Sequence, residues 1–317
     1  MKLDIVDYVE KSFSRELVSF GGVCPVACNH CYTFMQGYQR KSDEDVDKIV
    51  ASLQGKQLDI IYISGHCENF IDSSKGTTLC EKLFHAYRCD IMFTTRMIFP
   101  DVIISRLSKL NERMRREGKF LYACSSIPAQ ESYGKLEPSP LIPSPEERMY
   151  FLSKMRNEGI TTFLTIRPVF PDNYIPTVEL INIVDNAKDY SDVVLASGVV
   201  VNDDVLKRLS GFVPQKTFSK KLMDCLGENI DAQYVDVDCE LKKIGERCAL
   251  HRVPFFNSSL VAVKFLKIVS QITDKEKKYQ LYEKYMSALN RNQVAINDFY
   301  TEADNDRDRV FWDGLRK

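Results

Sequence analysis

Long apolar runs and an excess of either charge are both absent from this chain of 317 residues. No run approaches the roughly 18 apolar residues that a membrane-spanning helix needs, so no membrane partner is expected. Lysine and arginine together number 43, against 44 aspartate and glutamate residues, which gives a formal net charge of −1. Without an overall basic field, nucleic-acid binding would depend on a local patch and is not favoured.

Neither an export signal nor a set of paired cysteines is expected from the sequence. Residues Met1 to Asp7 include acids where a signal peptide needs an apolar core, so the expected location is cytoplasmic. Ten cysteines are present, and outside a single trio they are scattered with no C-x2-C pair. In a chain without an export signal, a disulfide framework is not expected.

Strands that alternate with helices are the main pattern of the first 200 residues. Such alternation implies a parallel sheet with right-handed helical crossovers, which can curl into a barrel. We therefore expect an α/β fold, a partial (β/α)6 TIM-type barrel with a mostly helical C-terminal extension. The predicted strands are Leu17–Phe20, Leu58–Ile63, Asp90–Thr95, Phe120–Ser125, Thr161–Arg167 and Asp192–Val201.

The same pattern divides the chain into three parts. Residues 1–16 are expected to be a lead-in, residues 17–205 the barrel core, and residues 206–317 an extension that covers the barrel or shapes a substrate site. Within the core, Ser144-Pro145-Glu146-Glu147 predicts the start of a helix. In the extension, Val253-Pro254-Phe255-Phe256 predicts a further strand.

The strongest local signal is a trio of cysteines directly after the first strand. Cys24, Cys28 and Cys31 have a C-x3-C-x2-C spacing, so three thiolates lie on one short loop. Thiolates this close together can hold one iron–sulfur cluster. Three ligands for four irons would leave one iron open to a small molecule. The alternatives are a chance grouping of cysteines and a structural zinc site, for which His30 is too close in sequence to supply the fourth ligand easily.

Polar residues also follow four other predicted strands. In barrels of parallel strands, the carboxyl ends of the strands meet on one face, and the chemistry takes place there. We therefore expect these residues to share a face with the cysteine loop. The groups are Ser64-Gly65-His66-Cys67-Glu68, Thr95-Arg96, Ser125-Ser126 and Arg167-Pro168.

The cysteine loop, C-P-V-A-C-N-H-C-Y, resembles the signature of the radical S-adenosylmethionine (SAM) superfamily, and the resemblance covers roughly residues 17–200. It implies a [4Fe–4S] cluster held by Cys24, Cys28 and Cys31, with SAM bound at the fourth iron. One electron would cleave SAM to methionine and a 5′-deoxyadenosyl radical, which takes a hydrogen atom from the substrate. In such enzymes the cofactor carries the difficult chemistry and the protein positions it.

The resemblance also implies roles for several further residues. The family's Gly-Gly-Glu-Pro-like turn, which receives the SAM amino group, corresponds here to Ser64-Gly65-His66-Cys67-Glu68 and departs from the family in sequence. Within this turn, Glu68 is the expected acceptor, because an amine needs a carbonyl or carboxylate oxygen. The aromatic residue that packs near the adenine would be His30 or Tyr32.

Other residues near the predicted site have two interpretations each. Ser125 and Ser126 bind the SAM ribose or carboxylate, or they cap the next turn. Arg167 lies in an apolar strand, where an unpaired cation is costly, so its carboxylate partner belongs to SAM, to a substrate or to the protein. Arg96 has the same alternatives. Arg148 is interpreted as an ordinary surface or helix-packing residue.

Two cysteines outside the loop lie close to the predicted pocket. The thiols of Cys67 and Cys124 are candidates to return a hydrogen atom to a substrate radical. The alternative, which the residue type favours, is a buried apolar thiol.

A narrower resemblance, over residues 124–171, is to the spore photoproduct lyase and DNA repair photolyase-like branch of the superfamily. A DNA substrate does not follow from it, because substrate contacts lie in loops and C-terminal additions that differ between related barrels. The matching pieces are Cys124-Ser125-Ser126, Leu136-Glu137-Pro138, Ser144 to Arg148, Gly159 and Arg167 to Pro171.

The expected function is therefore that of a radical SAM enzyme acting on a small-molecule or nucleotide-sized substrate. A reductant such as flavodoxin or ferredoxin would be its electron donor. The alternatives are radical modification of a peptide, repair of a nucleic-acid lesion, a SAM sensor that does not cleave SAM, and a non-catalytic metal-binding module.

Overall fold

The computed structural model describes residues 13–39, 45–63, 66–223 and 229–291. The strands in this part of the chain are β1 (Arg15–Val18), β2 (Ile60–Ile63), β3 (Asp90–Thr95), β4 (Leu121–Ser126), β5 (Thr161–Val169), β6 (Val193–Gly198), β7 (Val200–Val201), β8 (Thr217–Met223), β9 (Asn229–Val235) and β10 (Phe255–Phe256). The helices are α1 (Val46–Ala51), α2 (Ser73–Tyr87), α3 (Asp101–Arg116), α4 (Tyr133–Leu136), α5 (Pro145–Asn157), α6 (Thr177–Ala187), α7 (Asp203–Arg208), α8 (Asp238–Leu250), α9 (Ser259–Ile268) and α10 (Lys275–Arg291).

Seven parallel strands form the central sheet, in the order β1-β2-β3-β4-β5-β6-β10. The first six strands of the sheet follow chain order, as expected when the chain returns from each strand to the next through a helix on the outside. Strand β4 is buried along its whole length, which is typical of a parallel strand covered on both faces. The predicted α/β fold of the partial barrel type is confirmed, and Phe255–Phe256 is a seventh strand beside β6.

Helix α5 begins at the predicted residues. The Ser144 hydroxyl accepts the Glu147 N–H at 3.2 Å, and the Glu147 carboxylate accepts the Ser144 N–H at 2.8 Å. A cap of this kind contributes about 1 kcal/mol to helix stability. This local signal sets the start of α5, which packs on β4 and β5.

The inner face of the sheet packs against the C-terminal helix α9. Met92, Tyr122, Phe163 and Leu195 lie on this face and share one apolar cluster with α9. Helix α9 is buried from Ser259 to Leu266, as expected for a helix that is apolar on nearly all sides. Its last turn is joined to the first residue of β3 by an ion pair between Lys267 and Asp90, at 2.9 Å. Helix α9 therefore closes the N-terminal end of the barrel.

A small antiparallel sheet, in the order β7-β9-β8, follows β6 and was not predicted. The predicted strand Asp192–Val201 is divided at Val199, because Val200 and Val201 turn away to pair with Tyr234 and Gln233. The Gly198 N–H donates to the Tyr234 hydroxyl at 3.0 Å, and a Cβ at Gly198 would lie 2.7 Å from that oxygen.

No helix among the described residues is long and apolar enough to cross a membrane.

Candidate functional site

The cysteine loop, residues 22–34, leaves the carboxyl end of β1 and makes two successive turns. The Cys31 N–H donates to the Cys28 carbonyl oxygen at 3.1 Å, and the Phe34 N–H donates to the Cys31 carbonyl oxygen at 3.3 Å. Cys28 is buried, Cys24 and Cys31 are partly exposed, and all three are free thiols. The loop therefore offers three sulfur ligands over eight residues.

The Cys24 thiol receives hydrogen bonds from the turn that follows β2. The Cys67 thiol and then the Glu68 N–H, 3.4 Å from the Cys24 sulfur, lower the pKa of Cys24 to about 5, although burial acts in the opposite direction. In contrast, burial raises the pKa of Cys28 to about 12. Cys67, expected near the pocket, thus lies against the cysteine loop itself.

Glu68 joins the turn after β2 to the end of β3. Its buried carboxylate accepts hydrogen bonds from the Thr95 hydroxyl at 2.8 Å, the Arg96 N–H at 2.8 Å and the Phe70 N–H at 3.1 Å. Burial raises the pKa of Glu68. A carboxylate has about four acceptor positions, so three donors leave one for a ligand.

The turn after β2 is described only in part. Ser64 and Gly65, which were predicted to bind the SAM amino group with Glu68, lie outside the described residues. His66, Cys67 and Glu68 are described, and they connect this turn to the cysteine loop and to β3.

Arg96, Glu137 and Arg148 form a buried ion triad against the cysteine loop. The Glu137 oxygens lie 2.5 Å from Arg96 Nε and 2.8 Å from Arg148 Nη1. Burial alone would raise the pKa of Glu137, but Arg148 and Arg96 hold it below its ordinary value. The interpretation of Arg148 as an ordinary surface or helix-packing residue was wrong, because its side chain is fully buried in this triad and also donates to the Ser126 carbonyl oxygen at 2.6 Å.

His30 lies inside this ion network. Its Nε2 is 3.4 Å from an Arg96 guanidinium nitrogen, and the ligand atoms of Cys28, His30 and Glu137 lie within 4.8 Å of one another. Burial, then the charge of Arg96, lowers the pKa of His30 to about 3, so the ring is neutral at neutral pH. Because a guanidinium can only donate, a hydrogen bond at this contact requires Nε2 as the acceptor.

Tyr32 belongs to an aromatic group on the other side of the loop. Its ring centroid lies 5.9 Å from that of Tyr38 and 6.4 Å from that of His66, in edge-on arrangements. The Tyr38 hydroxyl forms a hydrogen bond with His66 Nδ1. Of the two aromatic residues predicted to pack near the adenine, Tyr32 therefore lies beside the turn after β2, whereas His30 contacts the ion triad.

The ends of β4 and β5 carry the remaining predicted residues. Ser125 is fully buried, and its hydroxyl has no hydrogen-bond partner within the described ranges. The Ser126 hydroxyl donates to the Arg167 carbonyl oxygen at 3.3 Å, and the Arg167 guanidinium donates to the Asn257 carbonyl oxygen. Cys124 is fully buried on the inner face of the sheet, where burial raises its pKa to about 12.

Sequence analysis also missed the contact of Arg208, on α7, with the cysteine loop. Its guanidinium donates to the carbonyl oxygens of Cys28 and Cys31, at 3.1 and 2.7 Å. No local signal could have identified it, because Arg208 lies 180 residues beyond Cys28 in the chain. For Glu137, the match of Leu136-Glu137-Pro138 to the photolyase-like branch was a signal, although it assigned no partner.

No protein-family model matches the chain, and no curated protein matches it. Among solved structures, a single-residue mutant of spore photoproduct lyase is similar, with a TM-score of 0.56 and 12% identity over 75% of each chain. Streptococcus suis SuiB has a TM-score of 0.50 and 13% identity, over 78% of this chain and 50% of SuiB. Both are radical SAM enzymes, so the fold implied by the resemblance is confirmed.

Proposed function

We propose that this chain is a radical SAM enzyme that holds a [4Fe–4S] cluster through Cys24, Cys28 and Cys31 and cleaves SAM. The observation that carries the proposal is the presence of three free thiols on one loop, directly beside the Glu68 turn and the end of β3. A loop with three thiolates can hold one cluster and leave one iron for a further ligand.

The residues beside the loop fit the cluster and SAM. Cys24 and Cys31 are partly exposed, so their sulfur atoms are accessible to a metal, and the low pKa of Cys24 favours the thiolate that a metal requires. Ser125 is the register neighbour of Thr95, whose hydroxyl binds Glu68. The buried Ser125 hydroxyl therefore offers an uncommitted hydrogen bond close to the proposed amine acceptor.

When bound, the cluster supplies the electron that cleaves SAM to methionine and the 5′-deoxyadenosyl radical. In this mechanism, Glu68 would accept a hydrogen bond from the SAM amino group, and Tyr32 would pack against the adenine. Ser125 and Ser126 would bind the ribose or the carboxylate, and the guanidinium of Arg96 or Arg167 would compensate a carboxylate charge. The buried ion triad holds the loop and excludes water from its inner side.

We further propose a small-molecule or nucleotide-sized substrate, with flavodoxin or ferredoxin as reductant in the cytoplasm. The near-zero net charge supports this choice over a polyanion. Helix α9 packs on the inner face of the sheet, so the reacting group would bind nearer the carboxyl ends of the strands. The thiols of Cys67 and Cys124 stay candidates for returning a hydrogen atom to the substrate.

The test is anaerobic reconstitution with iron and sulfide, followed by measurement of 5′-deoxyadenosine from SAM and dithionite. We expect the wild-type chain to form it, and Cys28→Ala to lose both bound iron and product. Cys80→Ala is the matched control, because Cys80 is also a buried thiol but lies on α2, outside the cysteine loop. One zinc per chain without iron would overturn the proposal and favour a structural metal site.

A further inference from the structure

We propose that Arg208 is a positioning residue for the cluster ligands. Its guanidinium holds two turns of the cysteine loop and makes the bound cluster easier to reduce. The inference rests on the proposed function, because it assumes that Cys28 and Cys31 are ligands. It assigns to the region after the barrel core a direct part in the metal site, in addition to any part in covering the barrel.

The contacts of Arg208 are specific to the two carbonyl groups that close the loop. Nη1 donates to the Cys28 carbonyl oxygen at 3.1 Å, and Nη2 donates to the Cys31 carbonyl oxygen at 2.7 Å. The same two oxygens accept the N–H groups of Cys31 and Phe34, respectively. One planar group therefore connects two successive turns and sets the separation of the second and third ligands.

Arg208 is itself held in place by its own helix and by the loop. Its Nε donates to the Asp204 carbonyl oxygen at 3.3 Å, and its guanidinium lies over the Phe34 ring, 5.2 Å from the centroid. On the same helix, the Asp204 carboxylate accepts the Gln36 N–H at 2.7 Å. Asn202 caps the start of α7, because its side chain accepts the Asp204 N–H at 3.1 Å. Helix α7 thus contacts the chain both at and beyond the cysteines.

Two physical effects follow from this geometry. Arginine presents several N–H groups in a rigid fork, so it can bind two carbonyl oxygens at once, which a lysine ammonium does with less directional control. A fixed positive charge beside two thiolate ligands also favours the more negative, reduced form of a bound cluster. Hydrogen bonds, charge and burial around the ligands are the means by which a protein tunes such a potential.

The test compares Arg208→Met, Arg208→Lys and Lys207→Met in the full chain reconstituted with iron and sulfide. Lys207→Met is the matched control, because Lys207 is an exposed cation on the same helix. The readouts are the rate of iron loss to a chelator, the electron paramagnetic resonance spectrum of the reduced protein and its midpoint potential.

We expect Arg208→Met to weaken iron retention about tenfold, the lower end of what loss of an outer-shell partner costs a metal site, and to shift the potential to more negative values. Arg208→Lys should restore most of the potential but little of the iron retention, which separates charge from geometry. Wild-type iron loss, spectrum and potential in Arg208→Met would overturn the inference. A change of equal size in Lys207→Met would also overturn it.

Failure of the inference differs from failure of the proposed function. If the wild-type chain forms 5′-deoxyadenosine and Arg208→Met retains iron and potential, only the role of Arg208 fails. If the wild-type chain takes up no iron, the proposed function fails and the assignment of Arg208 to cluster ligands fails with it. Circular dichroism spectra of the variants before reconstitution establish whether each is folded. If Arg208→Met is not folded, Arg208→Lys takes its place in the retention test.

Discussion

The two ends of β3 carry buried charges that are balanced in different ways. At the N-terminal end, the Asp90 carboxylate pairs with the single ammonium of Lys267, at 2.9 Å. At the carboxyl end, Arg96 pairs with Glu137, and the same carboxylate pairs with Arg148. The Asp90 carboxylate therefore has one ammonium as its partner, whereas two guanidiniums share the Glu137 carboxylate.

The groups around these buried charges also differ between the two ends, since buried charges are costly without partners. At the carboxyl end, the Glu68 carboxylate accepts the Arg96 N–H beside the Arg96–Glu137 pair, and Arg208 brings a third guanidinium to the cysteine loop. At the N-terminal end, the pair of Asp90 with Lys267 lies where α9 closes the barrel, which agrees with a structural role.

The largest expected effect is that of Glu137→Gln at the carboxyl end. It would leave Arg96 and Arg148 buried together without their shared carboxylate, and breaking a buried pair costs about 3–5 kcal/mol. Urea unfolding of the cluster-free chain measures the loss of free energy of unfolding. Glu146→Gln is the control, because Glu146 is exposed on α5, the helix that carries Arg148; an equal effect of both changes would contradict the comparison.

A smaller effect is expected for Lys267→Met at the N-terminal end. The side chain of Lys267 is 14% exposed, so some of its charge is already solvated, and we expect a loss of about 2 kcal/mol from the unpaired Asp90 carboxylate. This change should leave iron uptake after reconstitution unchanged. Lys275→Met, which removes an exposed pair to Asp189, serves as the surface control. Loss of iron uptake in Lys267→Met would show that the two ends are not independent.

The smallest expected effect is a difference in pH dependence between the two ends. The pKa of Glu137 is lowered, so its stabilising contribution is present above its ordinary value of 4.5 and is lost as the pH falls through the lower folded-state value. Burial, only partly offset by Lys267, raises the pKa of Asp90, so the folded chain binds that proton more tightly than the unfolded chain. Its contribution to stability therefore falls as the pH rises from 3.8 through the folded-state value.

Urea unfolding at several pH values between about 3.5 and 7 measures this difference. As the pH falls, we expect the free energy of unfolding of Glu137→Gln to approach that of the wild type. Over the same interval, the wild type should gain stability relative to Asp90→Asn. Slopes of the same sign for the two variants would contradict the assignment of opposite pKa shifts.

Elements with a strong local pattern were predicted well from the sequence. The capping box at Ser144 and the buried run of β4 each depend on residues within a few positions of one another. In the small sheet after β6, strand β7 was missed because it pairs with β9 over about 35 residues, as Val200 does with Tyr234. The hairpin of β8 and β9 pairs locally, but it lies in a stretch for which no strand was predicted. Arg148 was misinterpreted because its partners, the Glu137 carboxylate and the Ser126 carbonyl oxygen, lie outside its own helix.

Local spacing was sufficient to identify the chemistry that the cysteine loop can support. Three thiols within eight residues can meet one metal centre, because all of them lie on one short loop. Tertiary folding decided which charged groups surround those thiols. Arg96, Glu137, Arg148 and Arg208 reach the loop only after the strands have paired and α7 has packed against it, since no short stretch of chain brings them together.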